Sequence, residues 1–249
     1  PQDIDFIIFA TICPDYYFPG CGVLLQRAMK MKEIGALDVR NQCSGFVYAL
    51  SVGDQFIKTG MYKNILVVGA EKHSFGLDFS TRGRNISVIF GDGAGAAIIS
   101  SGSSAEGHEL LGTYAGSDGK YKSLLEIPGK PGDKQSSFVQ MQGKDIFKHA
   151  VRHLLEASAN VLKQVGLQAT DITWMVPHQA NIRILQTTAE KFNIPIERVV
   201  LNLEKYGNTS AASIPIALEE GASSFKKGDI ILCTAFGGGI TWAATLIRW

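Results

Sequence analysis

The residue of this sequence with the clearest chemical potential is Cys43, in the segment Asn41–Gly45. A short apolar run ends at Val39, and an amphipathic helix pattern begins directly after the cysteine. The unpaired N–H groups and the dipole of a helix N-terminus favour negative charge. A thiol at that position is therefore expected to have a lowered pKa and to react as a thiolate nucleophile. The alternative is that Cys43 is a small buried core residue, the usual situation of a free cysteine.

Three other segments carry groups suited to the same site. His178 follows the buried strand pattern Ile172–Val176, a place where α/β proteins carry functional groups. Asn208 lies in a turn before a predicted helix, and Gly237–Gly239 brings flexible backbone to the end of a strand. If two halves of the chain pack about a twofold axis, these groups meet Cys43. The alternatives are a hydrogen-bonded core histidine, an asparagine that only caps its helix, and a glycine turn with positive φ.

The remaining histidines have no comparable setting. We interpret them as surface or helix-face residues: His73, His108, His149 and His153.

The elements that must position the candidate residues occur twice along the chain. Continuous apolar runs indicate buried strands, and helical spacing of apolar residues indicates the helices between them. The first half has the order strand, helix, strand, strand at Ile4–Ala10, Ser44–Thr59, Asn64–Gly69 and Ala96–Ser100. The second half repeats it at Ile172–Val176, Thr209–Phe225, Asp229–Cys233 and Ile240–Ile247. A steady offset of about 165 residues makes Asn208 the equivalent of Cys43 and predicts two duplicated α/β halves.

Other segments complete this prediction. We expect a helix at Val23–Ile34, irregular structure at Glu71–Ser87, a strand at Leu110–Ala115 and a long helix at Gly143–Val165. The last two have no counterpart before Ile4, so a central strand and its helix, roughly 60 residues, are expected to be missing from the front of the first half. A first residue that is Pro1 rather than methionine fits a fragment. The Ser/Gly-rich connector at residues 101–107 divides the chain into residues 1–104 and 105–249.

Composition excludes several classes of function. The 249 residues are 45% hydrophobic and carry a net charge of +1, which gives no overall nucleic-acid signature. The four cysteines form no C-x-x-C pair, which argues against a structural zinc site and fits a reducing compartment. No apolar run reaches the roughly 18 residues of a membrane helix, and no signal peptide is evident. These features predict a cytoplasmic protein that binds neither nucleic acid nor membrane.

Five ordered motifs resemble the ketoacyl-acyl-carrier-protein synthase III family, the condensing enzymes that start type II fatty-acid synthesis. They run through the whole chain, at residues 42–46, 90–95, 177–181, 207–211 and 236–239. The resemblance implies a thiolase-like fold, in which two duplicated α/β halves form a layered α-β-α-β-α sandwich around a pseudo-twofold axis. It also implies decarboxylative Claisen condensation of an acyl-CoA primer with a malonyl group on acyl carrier protein, giving β-ketoacyl carrier protein, CoA and CO₂.

The resemblance assigns the catalytic roles. Cys43 would accept the acyl group from CoA, and the backbone N–H groups of Cys43 and Gly238 would form the oxyanion hole. His178 Nε2 and the amide of Asn208 would donate hydrogen bonds to the enolate that forms when the malonyl group loses CO₂. No cofactor and no metal are implied, because the CoA thioesters are substrates.

Binding positions follow from the same resemblance. The residues that match CoA and pantetheine contacts are Arg82, Met141, Gly143, Phe147, Ala180 and Asn181. A basic patch that would suit an acidic carrier protein comprises Lys148, Arg183 and Lys191, although it could also be an ordinary solvated helix face. Phe18 matches a residue that crosses a dimer interface and caps the partner's acyl pocket, which implies a homodimer.

Two other functions are compatible with the residues. One is a related ketoacyl synthase or acyltransferase of a secondary pathway, with a different primer or acceptor. The other is a non-catalytic partner subunit of the same fold, although such a subunit would not need Cys43, His178 and Asn208 together. The sequence after Arg82, at residues 83–87, departs from the family pattern. The resemblance also implies that the expected missing segment would hold the other residues that clamp the CoA adenine.

Overall fold

A computed structural model describes residues 1–102, 108–128 and 138–249. The strands are β1 (Phe6–Ala10), β2 (Gly35–Val39), β3 (Asn64–Glu71), β4 (Gly93–Ser100), β5 (Glu109–Ser117), β6 (Leu125–Glu126), β7 (Gln140–Met141), β8 (Trp174–Pro177), β9 (Ile230–Gly237) and β10 (Thr241–Arg248). The α-helices are α1 (Cys21–Ala28), α2 (Gly45–Lys58), α3 (Arg84–Ser87), α4 (Gly143–Val165), α5 (Ile182–Lys191), α6 (Leu203–Tyr206) and α7 (Ser213–Gly221).

The large strands form two four-stranded sheets with the same core arrangement. The first has the order β2-β1-β3-β4 and the second the order β5-β10-β9-β8. In each sheet one central strand has a parallel neighbour on one side and an antiparallel neighbour on the other. Strand β3 lies between β1 (parallel) and β4 (antiparallel), and β9 lies between β8 (parallel) and β10 (antiparallel). The duplication expected from the sequence is therefore present in the strand topology.

The helices are arranged in layers around these sheets. Helix α2 packs against β1 and β3 of the first sheet and β5 and β10 of the second, and α7 packs against β4 and β8. The main core lies in this central layer, where Phe46, Val47 and Ile214 are buried between the sheets. Helix α1 covers the outer face of the first sheet, and α4 covers that of the second. The layered α-β-α-β-α sandwich is confirmed.

The edges of the two sheets differ. In the second sheet, β5 pairs with β10 and forms the edge strand. In the first sheet, no strand of the described residues covers β4, and Ile98 on it is 61% exposed. Strand β5, which has no counterpart in the first half, thus lies at a sheet edge. The expectation that the corresponding first-half strand is central in its sheet is therefore wrong.

Several predicted boundaries also need correction. Helix α1 ends at Ala28 rather than Ile34, because Lys30 takes a left-handed conformation, with φ of 51°, that turns the chain toward β2. The predicted helix Thr209–Phe225 divides into a 3-10 turn at Ser210–Ala212, helix α7 and a second 3-10 turn at Ala222–Ser224. The proposed boundary between residues 104 and 105 lies outside the described residues.

The expected surface or helix-face setting is wrong for His73, and for His153 it holds only in that the residue lies on a helix. His73 follows β3 and is buried, with its ring 5.0 Å from that of Phe90. His153 is buried on the inner face of α4 and stacks on Trp242 with ring centroids 3.9 Å apart. Histidine is a polar residue, so the sequence favours exposure of both. Their burial results from the packing of neighbouring elements.

Candidate active site

Cys43 occupies the sharp connection between β2 and α2. It is the middle residue of the 3-10 turn Gln42–Ser44, which leads directly into the helix. Gln42 takes a left-handed conformation with φ of 48°, and the Ser44 hydroxyl donates to the Asn41 carbonyl over 2.8 Å. The same hydroxyl lies 2.8 Å from the Thr241 hydroxyl, which ties the turn to β10. The predicted position of the thiol at a helix N-terminus is confirmed.

The predicted acidity of this thiol is wrong. Cys43 is only 6% exposed, and burial raises its pKa to about 12, although the neighbouring Ser210 hydroxyl lowers it. Loss of hydration of a thiolate outweighs the favourable position at the helix. Before a substrate binds, Cys43 is therefore a protonated thiol. The thiol proton must leave when the sulfur attacks a thioester.

This protonation state predicts a slow alkylation of Cys43 by iodoacetamide. At pH 8 the thiolate fraction should be about 10³-fold below that of an ordinary thiol of pKa about 8.5. Because the folded-state pKa is raised, the alkylation rate should keep rising with pH beyond pH 9. Peptide mass spectrometry beside Cys43→Ala assigns the modified residue, and a rate plateau below about pH 9 would contradict the prediction.

His178 stands at the end of β8 in a rigid loop. Its backbone N–H donates to the Thr234 carbonyl over 2.8 Å. The next residue, Gln179, is buried and bonds the carbonyls of Pro177 and Val200. These bonds fix the loop on both sides of His178 and therefore fix the position of its imidazole.

The tautomer of the His178 ring depends on the Ser213 hydroxyl. His178 Nδ1 lies 2.7 Å from the Ser213 hydroxyl oxygen. That hydroxyl also lies 2.9 Å from the Ser210 carbonyl, to which it can donate. The proton of the neutral ring lies on Nε2 when the hydroxyl donates to Nδ1, and on Nδ1 when the hydroxyl donates to the Ser210 carbonyl.

The His178 ring is neutral and faces the site. Burial, with a smaller contribution from His73, lowers its pKa to about 3, so the ring is uncharged at neutral pH. Its Nε2 is buried and has no hydrogen-bond partner among the described residues. A buried polar nitrogen without a partner is costly unless a bound group pairs with it.

Asn208 is fixed by bonds from both its backbone and its side chain. Its N–H donates to the Ile89 carbonyl over 2.8 Å, and its carbonyl accepts from the Gly91 N–H over 3.0 Å. Its Oδ1 accepts from the Ser210 N–H over 2.8 Å. The carboxamide oxygen is therefore engaged, and its NH₂ group remains as a donor.

The repeat register at Asn208 differs from the sequence expectation. The turn that corresponds to Gln42–Ser44 is Ser210–Ala212, since each leads directly into a central helix. Ala211, not Asn208, therefore matches Cys43, and Asn208 lies just before the matching turn.

The glycine run lies against the nucleophile, and Gly237 packs on the Cys43 backbone. A Cβ added to Gly237 would lie 2.9 Å from the Cys43 backbone nitrogen. A Cβ on Gly238 would instead lie 2.6 Å from the Leu125 carbonyl oxygen. Both residues need to be glycine, and Gly237 is the one that allows the end of β9 to approach Cys43.

Cys43, His178 and Asn208 share one cavity of about 120 Å³. Its remaining wall is mostly apolar and includes Phe90, Leu154 and Phe236. Five of the six residues expected to contact CoA and pantetheine also line it: Met141, Gly143, Phe147, Ala180 and Asn181. The structure therefore brings together most of the predicted site.

Arg82 does not line this cavity. It lies in a neighbouring groove, forms an ion pair with Asp78 at 2.8 Å and stands 5.8 Å from the ring of Phe138. The groove also contains Ile86 and Gln140, which are close in sequence to the cavity residues Ile89 and Met141.

The remaining predicted residues are at the surface. Lys148 is exposed on α4, and Arg183 and Lys191 are exposed at the two ends of α5, which packs on α4. Phe18 is 86% exposed and outside the cavity of its own chain.

Sequence reasoning missed several residues that shape the site. Ser213, five residues after Asn208, holds the imidazole, and Gly237 admits the strand end. Glu71 and Ser210 are buried close to Cys43. A polar residue at the end of an apolar strand pattern was the available signal for Glu71.

The described residues contain no group of three or more histidine, cysteine, aspartate or glutamate residues suited to a metal ion. Across the same residues, no helix combines the length and apolar character needed to cross a membrane. All four cysteines are free thiols.

Comparison with known proteins places this site in a family. The model for 3-oxoacyl-[acyl-carrier-protein] synthase III matches residues 37–119, and the model for its C-terminal part matches residues 162–249. The beta-ketoacyl-[acyl-carrier-protein] synthase III of Aquifex aeolicus is 43% identical over 251 residues, which cover all of this chain and 78% of that protein. The Clostridioides difficile protein of the same name is 43% identical over 259 residues, covering all of this chain and 77% of the relative.

Solved structures agree. The synthase III crystal structure from Aquifex aeolicus superposes with a TM-score of 0.92 over 99% of this chain and 77% of the other, at 43% identity. That from Thermus thermophilus gives a TM-score of 0.90 at 35% identity, over 99% and 78%. Fold and site together define an acyltransferase of the thiolase-like class. More narrowly, the chain belongs to the beta-ketoacyl-[acyl-carrier-protein] synthase III family.

Proposed function

We propose that this chain condenses an acyl-CoA primer with malonyl-acyl carrier protein, and that Cys43, His178 and Asn208 perform the chemistry. The observation that carries this proposal is their convergence on one mostly apolar cavity. In the first step the Cys43 sulfur attacks the thioester carbonyl, and CoA leaves. The N–H groups of Cys43 and Gly238 bind the oxyanion, supported by the close approach of the glycine run to Cys43.

The second step uses the two fixed donors. The malonyl thioester enters and loses CO₂, and negative charge develops on its carbonyl oxygen. In this proposal the Ser213 hydroxyl donates to His178 Nδ1, so the ring proton lies on Nε2 and is donated to that oxygen. The Asn208 NH₂ donates to it as well, because the Ser210 N–H already occupies Asn208 Oδ1. The carbanion attacks the acyl-cysteine and gives the β-ketoacyl product. Neither donor has to change its charge.

The substrates reach Cys43 along the wall formed by α4 and the loop after β8. Met141, Gly143, Phe147, Ala180 and Asn181 would contact pantetheine, and Arg82 in the neighbouring groove would stack on the CoA adenine. CoA thioesters are substrates here, and the proposal includes no metal and no further cofactor.

Charge reversal tests the carrier-protein surface. Lys148→Glu, Arg183→Glu and Lys191→Glu combined should raise KM for malonyl-carrier protein about tenfold at low salt, with little change in kcat. The effect should shrink as salt screens the charges. The control pair Lys226→Glu and Lys227→Glu lies before β9, at the opposite end of that strand from the cavity. An equal effect of the control pair would rule out a specific patch.

We also propose a cytoplasmic homodimer. Tyr16 and Phe18 expose large apolar surfaces, 60% and 86%, beside an edge strand, β2, whose outer side is unpaired in the described chain. In the dimer Phe18 would reach the partner's acyl pocket. The free cysteines fit a reducing compartment.

A reconstituted condensation assay tests the function. Purified protein, acetyl-CoA and malonyl-carrier protein should give β-ketoacyl-carrier protein and CO₂, and Cys43→Ala should give neither. A product only with other primers or acceptors would favour a secondary pathway, in keeping with the 28% identical priming ketosynthase of the R1128 polyketide pathway, with a TM-score of 0.89. No turnover of any primer would contradict the proposal.

A further inference from the structure

The motif at residues 90–95 supplies no reacting group to the proposed chemistry, yet it lies directly against the active site. Phe90 lines the cavity that Cys43 and Asn208 share. Residues 89–92 lie between α3, which ends at Ser87, and β4, which begins at Gly93. A segment between regular elements is positioned by its individual contacts, so each contact of residues 89–92 carries weight.

One side of this segment holds the backbone of Asn208. The Ile89 carbonyl accepts from the Asn208 N–H over 2.8 Å, and the Gly91 N–H donates to the Asn208 carbonyl over 3.0 Å. These two bonds pair Phe90 with Asn208 as an isolated parallel bridge. A Cβ on Gly91 would overlap the Tyr206 carbonyl oxygen, so this close approach requires glycine. A shift of residues 89–91 would therefore also move Asn208.

The other side of the segment is held by the 3-10 turn His73–Phe75, which follows β3. Asp92 Oδ1 accepts from the Ser74 N–H over 2.9 Å, and Asp92 Oδ2 accepts from the Ser74 hydroxyl over 2.6 Å. Hydrogen bonds to a carboxylate are stronger than those between neutral groups. Both carboxylate oxygens of Asp92 thus hold one residue of the turn.

The same turn supports the segment at a second point. The His73 ring is buried, and its centroid lies 5.0 Å from that of Phe90, with the two ring planes tilted by 51°. Burial lowers the pKa of His73 to about 4, so the ring is neutral and packs as an aromatic side chain. The turn therefore contacts Phe90 by packing and Asp92 by hydrogen bonds.

The position of Asn208 matters because its amide is a donor to the enolate in the proposed condensation. Its Oδ1 accepts from the Ser210 N–H over 2.8 Å, which fixes the carboxamide relative to its own turn. The bonds to Ile89 and Gly91 then fix that turn relative to the cavity wall. A misplacement of about 1 Å can cost a catalytic group about 10²-fold in rate.

We propose that Asp92 is a positioning residue for condensation: by bonding Ser74 it fixes residues 89–92, and through them the Asn208 amide that donates to the enolate. This rests on the proposed function. Asp92 acts through Asn208 and does not touch substrate. The acyl acceptor Cys43 belongs to another turn, so acylation does not depend on this support.

Replacing Asp92 tests the proposal in the two half-reactions separately. Asp92→Ala should slow condensation with malonyl-carrier protein about tenfold, because both bonds to Ser74 are lost at an exposed position. Acylation by acetyl-CoA, measured in a single turnover, should stay within about twofold of wild type. An equal loss in both half-reactions would show a general structural defect and overturn the proposal.

Two further variants keep the test independent of folding. Asp92→Asn should restore most of the condensation rate, because a carboxamide can accept from the Ser74 N–H and donate to the Ser74 hydroxyl. Ser74→Ala removes only the hydroxyl bond and should slow condensation about threefold. If Asp92→Ala does not fold, a wild-type condensation rate in Ser74→Ala would overturn the proposal.

A double-variant cycle connects Asp92 to Asn208. Asn208→Ala should slow condensation about 10²-fold. In that background Asp92→Ala should cause no further loss, because the group that it positions is absent. A tenfold loss in the Asn208→Ala background would show that Asp92 acts elsewhere and would overturn the proposal.

Asp171→Ala is the matched control. Asp171 is also exposed, and its carboxylate accepts from the Gln168 N–H over 2.7 Å at the 3-10 turn Ala169–Asp171. This turn precedes β8, at the opposite end of that strand from His178. The control should leave both half-reactions unchanged. A loss of condensation equal to that of Asp92→Ala would remove the specificity of the effect and overturn the proposal.

The outcomes distinguish this inference from the proposed function. Wild-type condensation in a folded Asp92→Ala variant, with slow condensation in Asn208→Ala, would overturn the positioning role and leave the proposed function intact. Wild-type condensation in Asn208→Ala would remove the proposed role of Asn208 and overturn both.

Discussion

Replacing His178 with alanine should slow condensation about 10²- to 10³-fold while acylation of Cys43 stays within about tenfold of wild type. The reason is the state of the imidazole. It is neutral, it contacts Ser213 through Nδ1, and its Nε2, which carries the proton in the proposed mechanism, has no partner among the described residues. That arrangement suits a donor to a developing enolate and not a base for the thiol. The measurement is single-turnover acylation by acetyl-CoA, followed by chase with malonyl-carrier protein.

The two half-reactions serve as each other's control. The alanine variant removes one of the two partners of the Ser213 hydroxyl, which keeps the Ser210 carbonyl, and thermal unfolding should confirm that it folds. Retained acylation shows that the nucleophile and the oxyanion hole are intact. If acylation fell as far as condensation, His178 would be the base that deprotonates Cys43, and the assigned tautomer would be wrong.

Replacing Gly237 with alanine should slow both half-reactions, by about 10²-fold each. The added methyl carbon would lie 2.9 Å from the Cys43 backbone nitrogen and 3.2 Å from the Gln42 Cβ. The end of β9 or the Cys43 turn must shift to relieve that contact. Because one oxyanion hole serves both thioester attacks, the damage should not be confined to one step.

Gly119→Ala is the control for Gly237→Ala, since a Cβ at Gly119 meets no atom within 4 Å in the described structure. It should leave both rates unchanged. The Gly237 variant should be destabilised by about 1–3 kcal/mol, the usual range for overpacking, and still fold. Wild-type rates in a folded Gly237 variant would show that the glycine run does not set the geometry at Cys43.

The architecture follows from patterns that a sequence displays directly. Apolar runs such as those at β1 and β3 mark buried strands, and their repetition in the second half predicts the duplicated fold. Motifs place Cys43, His178 and Asn208 at element ends, which is why their convergence was predictable. Each lies beside a strand or helix terminus that the topology brings to the same place.

What the sequence does not show is how neighbouring elements cover a residue. The pKa of Cys43 depends on desolvation by elements far away in the chain, and that outweighs the local helix effect. Glu71 was assigned to an irregular polar segment, yet it ends β3 and is buried. The close approach of Gly237, rather than Gly238, to Cys43 likewise depends on how β9 meets the Cys43 turn.

Intact-mass spectrometry after incubation with acetyl-CoA tests the central claim most directly. The wild-type chain should gain the mass of one acetyl group, and Cys43→Ala, which retains Cys13, Cys21 and Cys233, should gain none. Longer acyl-CoAs in parallel would show which primer the cavity accepts. An adduct that persists in Cys43→Ala, or a wild-type chain that no acyl-CoA modifies, would contradict the assignment of Cys43 as the acyl acceptor.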